Sequence, residues 1–122
     1  PIMLDFTGFA CVNCRKMEIN VWSDKNILPI LNNDLVLISL YVDEAINLPK
    51  EEQFVSKSTG SKIVTVGDKW TDFIITRYKT NTQPFYVLVN LNEENLNTPI
   101  SYTPNVQEYE NWLKDGISKF KK

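Results

Sequence analysis

Short apolar runs, separated by amphipathic and polar segments, make up most of this sequence. Three of these runs predict β-strands, at residues 2–7, 35–42 and 85–91. Residues 35–42 are almost continuously apolar, which is typical of a parallel strand buried on both faces. Weaker patterns predict a short strand or a loop at residues 62–66 and an edge strand at residues 100–103.

Helical patterns occupy the segments between these strands. Residues 12–22 and 68–78 carry apolar side chains at helical spacing and predict two helices. Another helical piece is predicted near residues 27–31, and it contains Pro29. A helix tolerates proline only near its start, so this piece should begin close to that residue.

The final helix has the clearest start signal. Asn105 is followed three residues later by Glu108, a capping-box pattern. The apolar stripe of this helix consists of Val106, Tyr109, Leu113, Ile117 and Phe120. Residues 43–60, by contrast, are polar and irregular, with a short helix predicted around residues 51–57. Because strands and helices alternate, the sequence predicts an α/β layer structure around a mixed sheet.

Length and charge narrow the class of protein. The 122 residues fit one domain spanning residues 1–122, which we expect to be a monomer on its own. The formal net charge of −2 gives no basic surface for nucleic acid. The longest apolar run, at residues 35–42, is far shorter than the roughly 20 residues that span a bilayer. Since a strand follows Pro1 directly, we expect a domain cut from a longer, membrane-anchored protein.

The candidate chemistry lies in two cysteines, Cys11 and Cys14, in a chain without histidine. The lack of histidine excludes the common Ser-His and Cys-His nucleophile pairs and most zinc sites, so no metal or cofactor is predicted. Cys11 follows the first strand and opens the first helix, where free backbone amides stabilise a thiolate. Cys14 lies one helical turn later, within reach of Cys11. We predict that Cys11 attacks a partner disulfide and that Cys14 resolves the mixed disulfide.

Three other interpretations of the cysteine pair stay open. The pair could be a static structural disulfide, half of a metal site, or two unreactive core cysteines. A metal site is disfavoured because the chain has no second CxxC and no histidine. A static disulfide across so short a loop would constrain the unfolded chain little. The order strand, CxxC, helix therefore favours a redox function.

The segment LDFTGFACVNCRKME, with Gln83 and Pro84 before a strong strand, resembles the thioredoxin-fold proteins. More narrowly, it resembles the C-terminal periplasmic domain of DsbD-type thiol:disulfide interchange proteins, closely over residues 3–43. This resemblance implies a thioredoxin-like three-layer fold and a protein-disulfide reductase of the bacterial periplasm, tethered to the inner membrane in the full-length protein. It implies that electrons pass from a membrane-embedded dithiol domain of the same protein to periplasmic disulfide-bearing proteins.

The resemblance also implies three further site residues, each with an ordinary alternative. Asp5 matches an aspartate buried beneath the cysteines; burial should raise its pKa and make it a proton acceptor for Cys14, unless it is a hydrated strand end. Glu18 matches an acidic residue one turn after Cys14, whose charge should raise the cysteine pKa, unless it is a solvated surface residue. Pro84 matches a cis-proline facing the cysteines, although most turn prolines are trans.

One position departs from the family pattern. Thioredoxins, and many DsbD-type domains, have tryptophan directly before the first cysteine, whereas this chain has Ala10. Phe9 can supply the missing apolar cover. The surface that docks a partner is accordingly predicted at Phe9, Ala10, Gln83 and Pro84. The alternative function is a non-catalytic thioredoxin-fold binding module in which the disulfide is only structural.

Overall fold

The structure, a computed structural model, describes residues 1–120. The elements along the chain are β1 (Ile2–Thr7), α1 (Val12–Met17), α2 (Leu28–Asn33), β2 (Val36–Tyr41), β3 (Phe54–Val55), β4 (Lys62–Ile63), α3 (Val66–Tyr78), β5 (Phe85–Val89) and α4 (Val106–Ser118). A π-helical turn, Glu18–Trp22, continues α1, and Lys50–Glu52 form a 3₁₀ turn. The predicted alternation of strands and helices is confirmed.

A three-stranded mixed sheet in the order β2-β1-β5 forms the centre of the domain. β1 runs parallel to β2, with Asp5 opposite Ser39, and antiparallel to β5, with Phe6 opposite Phe85. Because β1 lies between two strands, its backbone is paired on both sides. The loop that follows β1 therefore starts from the most constrained strand of the sheet.

The two faces of the sheet carry separate apolar clusters. On one face, Met3 of β1 packs with residues of α1, α2 and α4, including Met17 and Tyr109. On the other face, Phe6 of β1 packs with Ile74 of α3. Successive strand residues point to opposite faces, so alternate positions of β1 feed the two clusters. Helices thus cover both faces, and the predicted three-layer α/β fold is confirmed.

The prediction that residues 35–42 form a strand buried on both faces is wrong. β2 lies at an edge of the sheet within residues 1–120. Its residues Val36 and Ile38 are exposed, Val36 by 60%. Apolar and β-branched residues suit any pleated, half-covered surface, so an apolar run does not distinguish an edge strand from a central one.

The start signals predicted for α4 and α2 are found, although of the capping box predicted at α4 the structure shows only the bond made by Asn105. The side-chain oxygen of Asn105 accepts a hydrogen bond from Glu108 N at 2.9 Å and begins α4. Pro29 lies in the first turn of α2, as predicted. α3 begins at Val66, two residues before the predicted start, because Thr65 caps it. α4 ends at Ser118, so the stripe residue Phe120 lies beyond the helix.

The helix predicted around residues 51–57 is wrong. After the 3₁₀ turn, Phe54 pairs with Ile63, and β3 and β4 form a small antiparallel hairpin. The loop of this hairpin is closed by Ser56 Oγ, which accepts hydrogen bonds from Ser58 N and Thr59 N at 3.2 Å. A serine side chain that bonds to nearby backbone N–H groups favours a turn over a helix. These bonds explain why residues 51–57 do not continue as a helix.

The predicted edge strand at residues 100–103 is reduced to a single bridge. Ile100 pairs with Tyr86 of β5 through two backbone hydrogen bonds of 2.8 and 3.1 Å.

Among residues 1–120, no helix has both the length and the apolar character needed to cross a membrane.

Candidate redox site

Cys11 and Cys14 form a disulfide at the start of α1, with their Cα atoms 5.2 Å apart. Cys11 is the N-cap residue, and its Sγ accepts a hydrogen bond from Cys14 N at 3.2 Å. The two side chains differ in access to solvent: Cys11 is partly exposed, whereas Cys14 is only 2% exposed. One sulfur is therefore open to a partner and the other is covered.

The segment between β1 and Cys11 is a tight turn. Cys11 N donates a hydrogen bond to Gly8 O at 3.3 Å, so Phe9 and Ala10 are the central residues of the turn. The backbone N–H groups of these two residues donate to the Asp43 carboxylate, at 2.9 Å to Oδ1 and 3.1 Å to Oδ2. Every backbone donor of residues 9–11 thus has a partner.

Asp43 is a site residue that the sequence analysis missed. Desolvation alone would raise its pKa, but the hydrogen bonds from Phe9 N and Ala10 N outweigh it and hold the pKa of this carboxyl below its usual range. The pairing of the strands could have indicated that Asp43 lies near this turn. β1 and β2 are parallel, so the residues that follow both strands meet at one edge of the sheet.

An aromatic pair covers the outer side of this turn. The rings of Phe9 and Tyr41 are stacked, with centroids 4.2 Å apart and an interplanar angle of 19°. Phe9 nevertheless stays 57% exposed. The structure therefore places an apolar ring beside the disulfide, where the sequence analysis expected a docking surface.

Asp5 lies in the middle of the central strand and is 2% exposed, so its predicted burial is confirmed. Desolvation by burial raises its pKa to about 6. A hydrogen bond from Ser39 Oγ at 2.9 Å, from the neighbouring position of β2, opposes this shift. Asp5 therefore titrates closer to neutral pH than an exposed aspartate does, which the sequence predicted, although the role of Ser39 was not foreseen.

Glu18 lies at the end of α1, where it forms an ion pair with Arg15. Arg15 Nη2 donates to Glu18 Oε2 at 2.8 Å and to Thr7 Oγ1 at 3.1 Å, so it ties the helix to the end of β1. The Glu18 charge raises the pKa of Asp5 and the Arg15 charge lowers it, both less than burial does. At Asp5, therefore, the Arg15 charge opposes that of Glu18.

We expect Glu18→Gln to lower the pKa of Asp5 and that of the Cys11 thiol in the reduced protein. The change removes a negative charge that opposes ionisation of both groups. Because Arg15 already neutralises part of that charge, both changes should be small. Thiolate ultraviolet absorbance and the carboxyl carbon NMR signal of Asp5 report the two titrations. Glu51→Gln, in the distant 3₁₀ turn, is the control, and unchanged titrations in Glu18→Gln would contradict the expectation.

Pro84 is preceded by a cis peptide bond from Gln83. It comes directly before Phe85, the first residue of β5, which pairs with Phe6 near the end of β1. The antiparallel pairing brings the start of β5 to the sheet edge where the turn to Cys11 begins. Gln83 and Pro84 thus share an edge of the sheet with Phe9 and Ala10; Pro84 itself is buried and Gln83 is partly exposed.

The arrangement can support thiol chemistry. It combines a partly exposed sulfur at a helix start, a second sulfur buried one turn later, and a buried carboxyl with a pKa of about 6 on the strand beneath the helix. Within residues 1–120, no group of three or more potential ligands is arranged to hold a metal ion.

A mixed sheet between helical layers, with a CxxC disulfide opening the helix after the central strand, defines a thioredoxin-like fold. Solved structures agree. The chain is similar to a DsbH oxidoreductase, with a TM-score of 0.65 and 17% identity over 96% of this chain and 72% of that one. It is also similar to a thioredoxin from Thermus thermophilus, with a TM-score of 0.59 and 21% identity over 93% and 70% of the two chains. No protein-family model and no curated protein sequence matches the chain.

Proposed function

We propose that this domain is a thiol:disulfide oxidoreductase that uses Cys11 and Cys14 as its redox-active pair. The observation that carries this proposal is the unequal exposure of two disulfide-bonded cysteines at the start of α1. Exposed disulfides are the more readily exchanged ones, and here one of the two sulfurs is open to a partner. The thioredoxin-like fold supports the same function.

The exchange proceeds in two balanced steps. In the reduced protein, the Cys11 thiolate attacks one sulfur of a partner disulfide; a mixed disulfide forms and the partner's other sulfur leaves as a thiolate that takes up a proton. The Cys14 thiol then loses its proton, which Asp5 accepts, and attacks Cys11 Sγ. The Cys11–Cys14 disulfide forms as the bond between Cys11 and the partner breaks, and the partner's second sulfur leaves as a thiolate that takes up a proton. Two electrons have passed to the partner, and a dithiol donor restores the protein.

We further propose that the domain works as a DsbD-type reductant in the bacterial periplasm. Electrons would reach it from a membrane-embedded dithiol domain of the same protein and leave to periplasmic disulfide-bearing proteins. The motif around Cys11, with Asp5 and Glu18 at matching positions, supports this assignment. A similar fold in a protein named DsbH oxidoreductase is consistent with it.

Partners are proposed to dock where the turn and the start of β5 share the sheet edge. Phe9 and Ala10 would contact a partner chain on one side and Gln83 on the other, while Pro84, which is buried, would shape the backbone at that edge. The exposure of the Phe9 ring supports this surface, since exposed aromatics are favoured contact residues.

Alkylation tests the assignment of the two cysteines. After reduction, iodoacetamide should label Cys11 at least about 10-fold faster than Cys14 at neutral pH, because attack requires an accessible thiolate. Mass spectrometry of the digested protein measures both rates. The oxidised protein should take up no label, which is the control. Equal, slow labelling of both cysteines in the folded, reduced protein would contradict the proposed function.

A redox titration followed by intact mass separates this function from that of a binding module with a structural disulfide. A reductant should have a potential well above the roughly −300 mV that bounds structural bridges. A lower potential, together with no turnover of a protein disulfide, would favour the binding module instead.

A further inference from the structure

The turn that precedes Cys11 is held by a side chain from another strand. Asp43 lies just beyond β2 and accepts hydrogen bonds from Phe9 N and Ala10 N, at 2.9 and 3.1 Å. The turn and the carboxylate are closely packed, because a Cβ on Gly8 would lie 3.2 Å from Asp43 Oδ2. These contacts join the segment around the disulfide to the end of β2.

The same strand end holds the Phe9 ring. Tyr41, two residues before Asp43, stacks on Phe9 with ring centroids 4.2 Å apart. The backbone of the turn is thus fixed by a carboxylate and its one large side chain by an aromatic ring. Both supports come from one short stretch of chain that contains neither cysteine.

We propose that Asp43 is a positioning residue that holds the Phe9–Ala10 turn so that Phe9 and the Cys11 sulfur face a polypeptide partner together. This inference rests on the proposed oxidoreductase function and specifies its substrate class as disulfides within polypeptides. A polypeptide must fit against the turn while its disulfide meets Cys11, whereas a small disulfide needs only the exposed sulfur. Small displacements of reacting groups reduce a rate by large factors. Loss of the hydrogen bonds from the turn to Asp43, which we call the Asp43 clamp, should therefore slow the reaction with a polypeptide disulfide more than the reaction with a small one.

Comparison of two disulfide substrates tests this role. The reduced protein is mixed with insulin, a polypeptide substrate, and separately with dipyridyl disulfide, a small one. Asp43→Ala should reduce the rate constant for insulin about 10-fold and change that for dipyridyl disulfide by less than about threefold. Asp43→Asn should fall between wild type and Asp43→Ala, because one amide oxygen can still accept a hydrogen bond from the turn.

A matched control exists elsewhere in the chain. Asp68 Oδ2 likewise accepts hydrogen bonds from two consecutive backbone N–H groups, those of Val64 and Thr65, both at 3.1 Å. These bonds hold the start of α3 and do not touch the turn. Asp68→Ala should therefore destabilise the protein to thermal unfolding but leave the ratio of the two exchange rates unchanged.

A second measurement reads the clamp without any activity. Amide hydrogen exchange by NMR should show Phe9 and Ala10 protected in the wild type and released in Asp43→Ala, with the rest of the sheet unaffected. An unchanged rate ratio in Asp43→Ala, or equal protection of these amides in both proteins, would overturn the positioning role. Failure of the wild type to reduce either substrate would instead overturn the oxidoreductase function, whatever the exchange of these amides.

Discussion

Cys14→Ser should abolish the reduction of insulin and leave Cys11 joined to insulin in a stable mixed disulfide. The first step needs only Cys11, which is the more exposed sulfur. The second step needs the buried Cys14 thiol, which a serine hydroxyl cannot replace as a nucleophile towards sulfur. Turnover should fall by roughly 100-fold or more, as expected when one member of a catalytic unit is removed. Non-reducing gels and intact mass detect the adduct.

The reciprocal variant is the control for this experiment. Cys11→Ser retains Cys14, but that side chain is only 2% exposed, so no adduct with insulin should accumulate. A mixed disulfide through Cys14, or turnover by Cys14→Ser at the wild-type rate, would contradict the assigned roles. The same Cys14→Ser protein can then be used to trap natural partners, and periplasmic proteins among them would support the proposed location.

The place of the cysteine pair could be predicted because it depends on local signals. A strand pattern ends at Gly8, a helical pattern begins directly after Cys11, and the spacing of Cys14 fixes one helical turn between the sulfurs. Each of these signals is contained in a few consecutive residues, so it can be recognised without knowing which strands pair with each other. The burial of Asp5 was implied by the family resemblance, and its position within an apolar strand agrees with it.

The supporting contacts could not be predicted because they depend on strand register. Asp43 meets Phe9 and Ser39 meets Asp5 across 34 residues of sequence in each case. Both contacts exist only because β1 and β2 pair in parallel with one particular register. A single exposed aspartate and a single strand serine form no pattern in the sequence, so nothing marks either of them as part of the site.

The Glu18 hypothesis shows how a neighbouring side chain modifies a local inference. Its position one turn after Cys14 is visible in the sequence, and so is Arg15. Packing decides the rotamer with which Arg15 reaches both Glu18 and Thr7. The ion pair therefore could not be predicted from the sequence and is visible only in the structure. The two charges oppose each other at Asp5, and burial of that carboxyl is the larger effect.

Asp5→Asn should stabilise the protein at neutral pH and leave its stability unchanged in acid. The pKa of Asp5 is about 6 in the folded protein against an ordinary value of 3.8. Between these values the folded state holds the proton more tightly, so stability falls as the pH rises from about 4 to about 6 and stays lower above. A gap of about two pKa units corresponds to roughly 3 kcal/mol. Urea unfolding across this pH range measures the difference between variant and wild type.

Ser39 variants test whether the hydrogen bond to Asp5 sets the midpoint of that change. Ser39→Ala removes a donor to the carboxylate, so the pKa of Asp5 should rise and the pH range over which stability falls should extend upward. Ser39→Thr keeps a hydroxyl and should restore the wild-type midpoint.

If Asp5→Asn and wild type instead unfold at the same urea concentration at every pH, Asp5 is not the titrating group. Its assignment as the proton acceptor for Cys14 would then lose its physical basis, because only a carboxyl that can be protonated near neutral pH suits that step.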